Sequence, residues 1–309
     1  MDRASIRTDK VLSKIALGFM APGLVGFELF PRVTVEEASG KIIQFDKSAF
    51  QLINTRRAPG ENTKRIKVGF DKGNYSLTNN ALDAQIPREW LRDQASTPGI
   101  NFQRQSVETV MQVEQNNLEF EQSGLARDAT KYGTNNKITL SGSDQWSDYD
   151  NSDPLKDVAD YKEAVRAAIG SYPNKMVIPA EVHKTLKHHP KLLTRMSNND
   201  LKMLTLEHYR QLFEIENIVI AQSMVVDADG NFEELWGLDV ILAYVPTVIT
   251  SRAMPSYGYT YVLNGQPLVE PMWYDKATKS WIAGVEYERQ PLLTGIASGF
   301  LIKNAVASS

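Results

Sequence analysis

FQRQSVETVMQVEQNNLEFEQSGLARDATKYG, residues 102–133, decides how the rest of the chain is read. Val107, Val110, Met111, Leu118 and Leu125 recur at helical spacing, with Glu108, Glu114, Glu119 and Glu121 between them. The pattern predicts one helix that Gly133 stops. At about 1.5 Å per residue it would run roughly 40 Å, longer than an ordinary globular helix. Its apolar stripe is narrow, so it reads as a spine along which other segments lie, not as one member of a compact bundle.

The segment before it cannot form a core alone. Residues 1–36 carry scattered apolar groups, with Phe27, Leu29 and Phe30 as candidate anchors, and Pro22, Gly23 and Gly26 break any long helix. Such a segment is expected to dock along something larger. KIIQFDKSAF (41–50) contains a β-prone run and IKVGF (66–70) alternates, which predicts an antiparallel ribbon with TRRAPGENTK (55–64) at its tip. An isolated two-stranded ribbon is marginal in water, so it must lie on another surface. Residues 53–73 hold six bases, Arg56, Arg57, Lys64, Arg65, Lys67 and Lys72, against Glu61 and Asp71. The tip lacks interleaved aromatics for stacking on bases. It reads better as a partner-binding arm, and the four spine glutamates offer the opposite sign.

Beyond the spine the character changes. A polar, acidic loop (138–153) leads to Asp153 as N-cap and Pro154 at the first position of a helix. Strand NKMVIP (174–179), helix AEVHKTLKHHPKLLTRM ending near Pro190, helix LEHYRQLFEI, strand NIVIAQSMVV, turn DADGN and strand LWGLDVILAYVP follow. These form one compact unit over about 140–246, and short strands and turns fill the last 60 residues. The fold class is α+β.

Composition narrows the function. A net charge of −3 disfavours a protein that lives by coating phosphate. The absence of cysteine excludes disulfides, thiolate chemistry and Cys-ligated zinc. No apolar run approaches the roughly 18 residues of a membrane span. The N-terminal apolar run is broken by Lys14 and Gly18, so it reads as a mature segment and not a signal peptide. His183, His188, His189 and His208 lack the i, i+4 ligand spacing. DADGNFEE has Gly230 one place early and Leu238 at the twelfth position, so a hairpin turn explains it better than a calcium loop. Asp144, Asp148, Asp150 and Asp153 could in principle serve a metal-dependent hydrolase, but no histidine or phosphate cradle accompanies them. GxSxG, GxxxxGK[ST] and GxGxxG are all missing. No catalytic, metal or cofactor residue is assigned, and no enzyme is expected.

The order of parts and several strings resemble the major capsid proteins of tailed bacteriophages, whose fold is the Hong Kong 97 type. The strings are FELFPRVTVEEASGKIIQFDK, TRRAPGE, WSDYDNSDP, NKMVIPAEVHKTLKHHPKLLTRM and LFEIENIVIAQS, and the likeness covers nearly the whole chain. It implies an N-terminal arm (1–36), an extended loop (37–86), and a peripheral domain with the spine (87–137). An axial domain (138–246) and C-terminal peripheral strands (247–309) complete the division. It also implies a structural protein that self-assembles as hexamers and pentamers into an icosahedral virion shell, made in the host bacterial cytoplasm. Such a shell encloses double-stranded DNA without sequence-specific binding, with a separate scaffold, a portal and an optional decoration protein. On that picture Phe27, Leu29 and Phe30 dock the arm, and Arg56, Arg57, Lys64 and Arg65 meet acids of an adjacent subunit. No Lys–Asn crosslinking pair is matched, so the shell is expected to be non-covalent. An encapsulin-like nanocompartment shares the implied fold and is the alternative.

Overall fold

The structure, a computed structural model, describes residues 8–43, 55–60, 62–63, 65, 72–94, 101–196, 203–226, 229–247 and 256–307. In chain order the helices are α1 Lys10–Gly18, α2 Gly26–Leu29, α3 Arg88–Gln94, α4 Phe102–Arg127, α5 Pro154–Ile169, α6 Ala180–Leu186, α7 Pro190–Arg195 and α8 Leu206–Phe213. The first strands are β1 Arg32–Val35, β2 Ser39–Ile43, β3 Lys72–Ser76, β4 Thr78–Pro87, β5 Lys137–Thr139, β6 Lys175–Pro179 and β7 Asn217–Ala221. They continue as β8 Met224–Val226, β9 Phe232–Glu234, β10 Val240–Ala243, β11 Gly258–Leu263, β12 Leu268–Val269, β13 Trp273–Asp275, β14 Ser280–Leu293 and β15 Gly299–Lys303.

The spine helix α4 exists and has 26 residues, but it ends at Arg127, before Gly133. Asp128 is the reason: its carboxylate accepts from the Thr130 N–H and hydroxyl, a local turn that competes with helical continuation. Asn101 caps the other end by accepting from Arg104 N at 3.0 Å. α4 packs against β4 and β14 of a six-stranded sheet of order β1-β11-β14-β12, in which β13 and β4 also pair with β14.

The second sheet has the order β5-β15-β10-β6-β7. Its central strands are buried on both faces, and the period of two sorts their side chains. Met176, Ile178, Val240, Leu242, Phe300 and Ile302 enter a core with α5 to α8. The alternate Val177, Ile241, Ala243 and Leu301 enter a second core against the end of α4. This is why the short apolar runs read as continuous and not alternating.

Three local expectations change. Pro190 opens α7 instead of ending the preceding helix, because a proline at the first helical position has no N–H to lose. NIVIAQSMVV breaks after Ala221 into β7 and a separate hairpin strand β8. β15 joins the second sheet, so residues 247–309 do not all accompany the spine. At the ribbon, β2 pairs with β3 from Ser39↔Ser76 to Ile43↔Lys72. IKVGF and most of the expected ribbon strands lie outside the described residues.

Candidate functional site

The polar side of α4 holds residues 19–30 of the N-terminal segment in place. Asp9 caps α1 by accepting from Val11 N and Leu12 N, and Leu12 and Ala16 then pack on Val107, Val110 and Met111. Farther along, the buried face of α4 turns polar at a spacing of three to four. Gln115 Oε1 accepts from Ala21 N at 2.6 Å while its Nε2 donates to Phe19 O at 2.7 Å. Glu119 is 2% exposed. Its Oε1 accepts from Val25 N, Ser223 Oγ and Trp236 Nε1 at 3.0, 3.2 and 2.8 Å, and its Oε2 accepts from Gly26 N at 2.7 Å. Gln122 donates to Thr260 Oγ1 at 2.9 Å, and that hydroxyl donates to Phe30 O at 3.0 Å.

The backbone comes very close here. A Cβ on Gly26 would lie 2.0 Å from Gln122 Oε1 and 2.6 Å from Glu119 Oε2, and one on Gly258 would lie 2.5 Å from the Phe30 ring. Leu29 and Phe30 are completely buried in the second core, where Phe30 meets Tyr257 at 5.4 Å. Glu28 is tied to Lys175 Nζ at 2.6 Å and Asn217 Nδ2 at 2.7 Å. Phe27 alone of the three anchors stays 44% exposed, at a cleft of about 360 Å³ also lined by Leu17, Met20 and Leu118.

The four glutamates therefore differ. Glu108 pairs with Arg104 one turn away at 2.7 Å. Glu121 accepts from Arg289 Nη1 at 2.8 Å and keeps a side chain 42% exposed. Glu114 is buried 3.6 Å from Arg289 Nη2. Burial pushes its carboxyl above the usual range, against the pull of the Arg289 guanidinium. Glu114 and Glu119 thus face their own subunit. Alternation around a helix, which sequence alone leaves unphased, put them on the buried side. Arg56, Arg57 and Arg65 are exposed, and Lys64 lies outside the described residues. Arg289, Gln115, Gln122 and Trp236 were not singled out from sequence. The one available signal was the polar run Gln115, Glu119, Gln122 at helical spacing.

The acidic loop is used for structure. Asp153 caps α5 by accepting from Lys156 N, and Asp148 accepts from Asp150 N, Asn151 N and the Asn151 amide. Among the described residues no group of three His, Asp or Glu could hold a metal ion. Ser152 Oγ lies 3.1 Å from His189 Nε2, but the hydroxyl proton goes to Asp148 O at 2.6 Å. The ring must therefore donate to the hydroxyl, and it cannot act as its base. Burial, then nearby Lys191, pushes the His189 ring below its usual value, and His183 shifts the same way through burial and Lys187. Below about pH 6.5 the unfolded chain binds protons that these rings refuse in the fold. The contribution of these two rings to subunit stability should therefore fall as pH drops from 7.5 to 5.5. His189→Asn should flatten that slope in urea unfolding, and an unchanged slope would show that His189 is not its source.

A long helix packed on one mixed sheet, with its end against the core of a second and an N-terminal arm laid along it, is the architecture of a capsid subunit of the Hong Kong 97 type. The chain is 32% identical over 298 residues to the major capsid protein of Burkholderia phage BcepMu, covering 95% of each chain. A phage-related protein from Bordetella bronchiseptica RB50 is 40% identical, with a TM-score of 0.84 over 97% of this chain and 98% of that one. The capsid of Myoviridae Phage XM1 shares the fold at 13% identity, with a TM-score of 0.53 over 92% and 93%. No family model matches the chain. The chain belongs to the phage major capsid proteins, and it is a structural protein, not an enzyme. No described helix is long and apolar enough to cross a membrane.

Proposed function

We propose that the chain assembles as hexamers and pentamers into a non-covalent icosahedral shell around double-stranded phage DNA. The identity to the BcepMu major capsid protein over nearly the full length of both chains supports this most strongly. The shell forms in the host cytoplasm with a separate scaffold and a portal, takes an optional decoration protein, and ends as the virion capsid. A net charge of −3 suits an inner wall that confines DNA without gripping it. Residues 1–36 act as the arm, 37–86 as the extended loop, and α4 with its sheet as the peripheral domain. The unit built on 138–246 acts as the axial domain, with β15 added to its sheet.

Each contact is weak alone, because ordering a loop opposes the burial it gains, and closure multiplies such contacts. The exposed Arg56, Arg57 and Arg65, with Lys64, meet acids of an adjacent subunit. Glu108 and Glu121, whose side chains are 32% and 42% exposed, are the spine acids that a neighbour can reach. Phe27 adds an apolar contact across the cleft. Arg56→Glu/Arg57→Glu should leave the subunit folded and lower the yield of particles seen by electron microscopy; undiminished yield would remove this role. Nuclease-protected DNA in native particles tests the cargo, and a shell containing only protein would favour a nanocompartment.

A further inference from the structure

Asn264–Gly265 is the one Asn–Gly step in the chain. It forms the turn after β11, closed by Gln266 N donating to Leu263 O at 3.1 Å, and both residues are exposed. Gly265 sits at φ 85°, in the left-handed region that favours glycine, and a Cβ there would meet nothing within 4 Å. Among the described residues no acceptor takes the Gly265 N–H. That nitrogen is accessible and unhindered next to the Asn264 carboxamide. An exposed amide beside such a nitrogen is the chemically labile form of asparagine.

The same turn clamps the end of β1. Asn264 N donates to Val35 O at 2.8 Å, beside Val35↔Leu263, the last pair of the β1–β11 register. The Asn264 amide donates to Glu36 Oε1 at 2.9 Å and Oε2 at 3.2 Å, and the Arg32 guanidinium donates to Gln266 O. β1 is the edge strand of its sheet, with β11 as its neighbour. Polar bonds to one turn therefore hold both ends of the strand that follows the docked segment 19–30. Two of those bonds depend on the side chain at 264 remaining an amide, because a carboxylate has no hydrogen to give Glu36.

We propose that Asn264 is a spontaneous deamidation site, guarded by Glu36, whose conversion releases the end of β1. The Gly265 nitrogen bonds to Asn264 Cγ and loses its proton to solvent base, while the Cγ–Nδ2 bond breaks and ammonia leaves. Water then opens the ring at either carbonyl, leaving an aspartyl or isoaspartyl residue at position 264. Turning the carboxamide toward Gly265 breaks both bonds to Glu36, so Glu36 slows the reaction. Once it has happened, two attractive bonds are replaced by like-charge repulsion. Peptide mass mapping of subunits aged in warm, mildly alkaline buffer tests the site. Position 264 should convert before the exposed Asn135 and Asn151, whose following residues carry side chains. Glu36→Ala should speed the conversion about tenfold, since hydrogen bonds to an ionised group contribute on that order. An intact amide at 264 after either other asparagine has converted overturns the site, and an unaltered rate in Glu36→Ala overturns the guard. Asn264→Asp should speed hydrogen exchange of the backbone amide at 264 about tenfold and leave the β10 amides unchanged. Equal exchange at 264 in parent and variant overturns the release of β1.

Discussion

Glu119→Ala should destabilise the unassembled subunit by about 4 kcal/mol, since it strands four buried donors that each cost on the order of 1–3 kcal/mol when unpaired. Those donors are Val25 N, Gly26 N, Ser223 Oγ and Trp236 Nε1, drawn from three separate parts of the chain. The substitution should also free the arm, so limited proteolysis should open new sites within residues 19–30. Glu119→Gln keeps an oxygen for three donors if its amide nitrogen takes the Oε2 place, where it then meets only Gly26 N. Its cost should be about half as large. Urea unfolding measures both, and a loss below about 1 kcal/mol for Glu119→Ala would show that the carboxylate is not the pin.

Arg289→Met is the second large effect, at about 3 kcal/mol, because breaking a buried ion pair leaves a charge uncompensated. Arg289 is 1% exposed, so water cannot take over its role beside Glu114 and Glu121. Glu114→Gln/Arg289→Met should recover most of the loss, since removing both charges leaves none stranded. The pH dependence has a definite sign. Glu114 titrates above its unfolded value in the fold, so its contribution is full below that value and is lost as pH rises. Without Arg289 the carboxyl rises further. The single variant should therefore approach the parent near pH 4.5 and diverge from it at pH 7.5. A constant gap across that range would place the cost elsewhere than at Glu114.

Much of the fold was legible because it rests on local chemistry. Asp153 and Pro154 start α5 as their cap and first-turn preferences require, and Gly170 ends it with φ 78°. The spine was visible in its period, and the apolar runs of β6 and β10 in their length. What stayed illegible was the phase of the spine around its axis. Four glutamates on one helix look alike until packing turns Glu114 and Glu119 inward and leaves Glu108 and Glu121 at the surface.

The sequence by itself determined the helical spine, the cap of α5, the exclusion of thiol chemistry and, through its ordered strings, the capsid family. Only the tertiary structure decided which polar groups became internal clasps and that β15 crosses into the second sheet. The physical reason is range. Caps and periodicities are set by neighbours within a turn, whereas burying Glu119 or Arg289 depends on partners 93 to 175 residues away, whose approach no local pattern encodes.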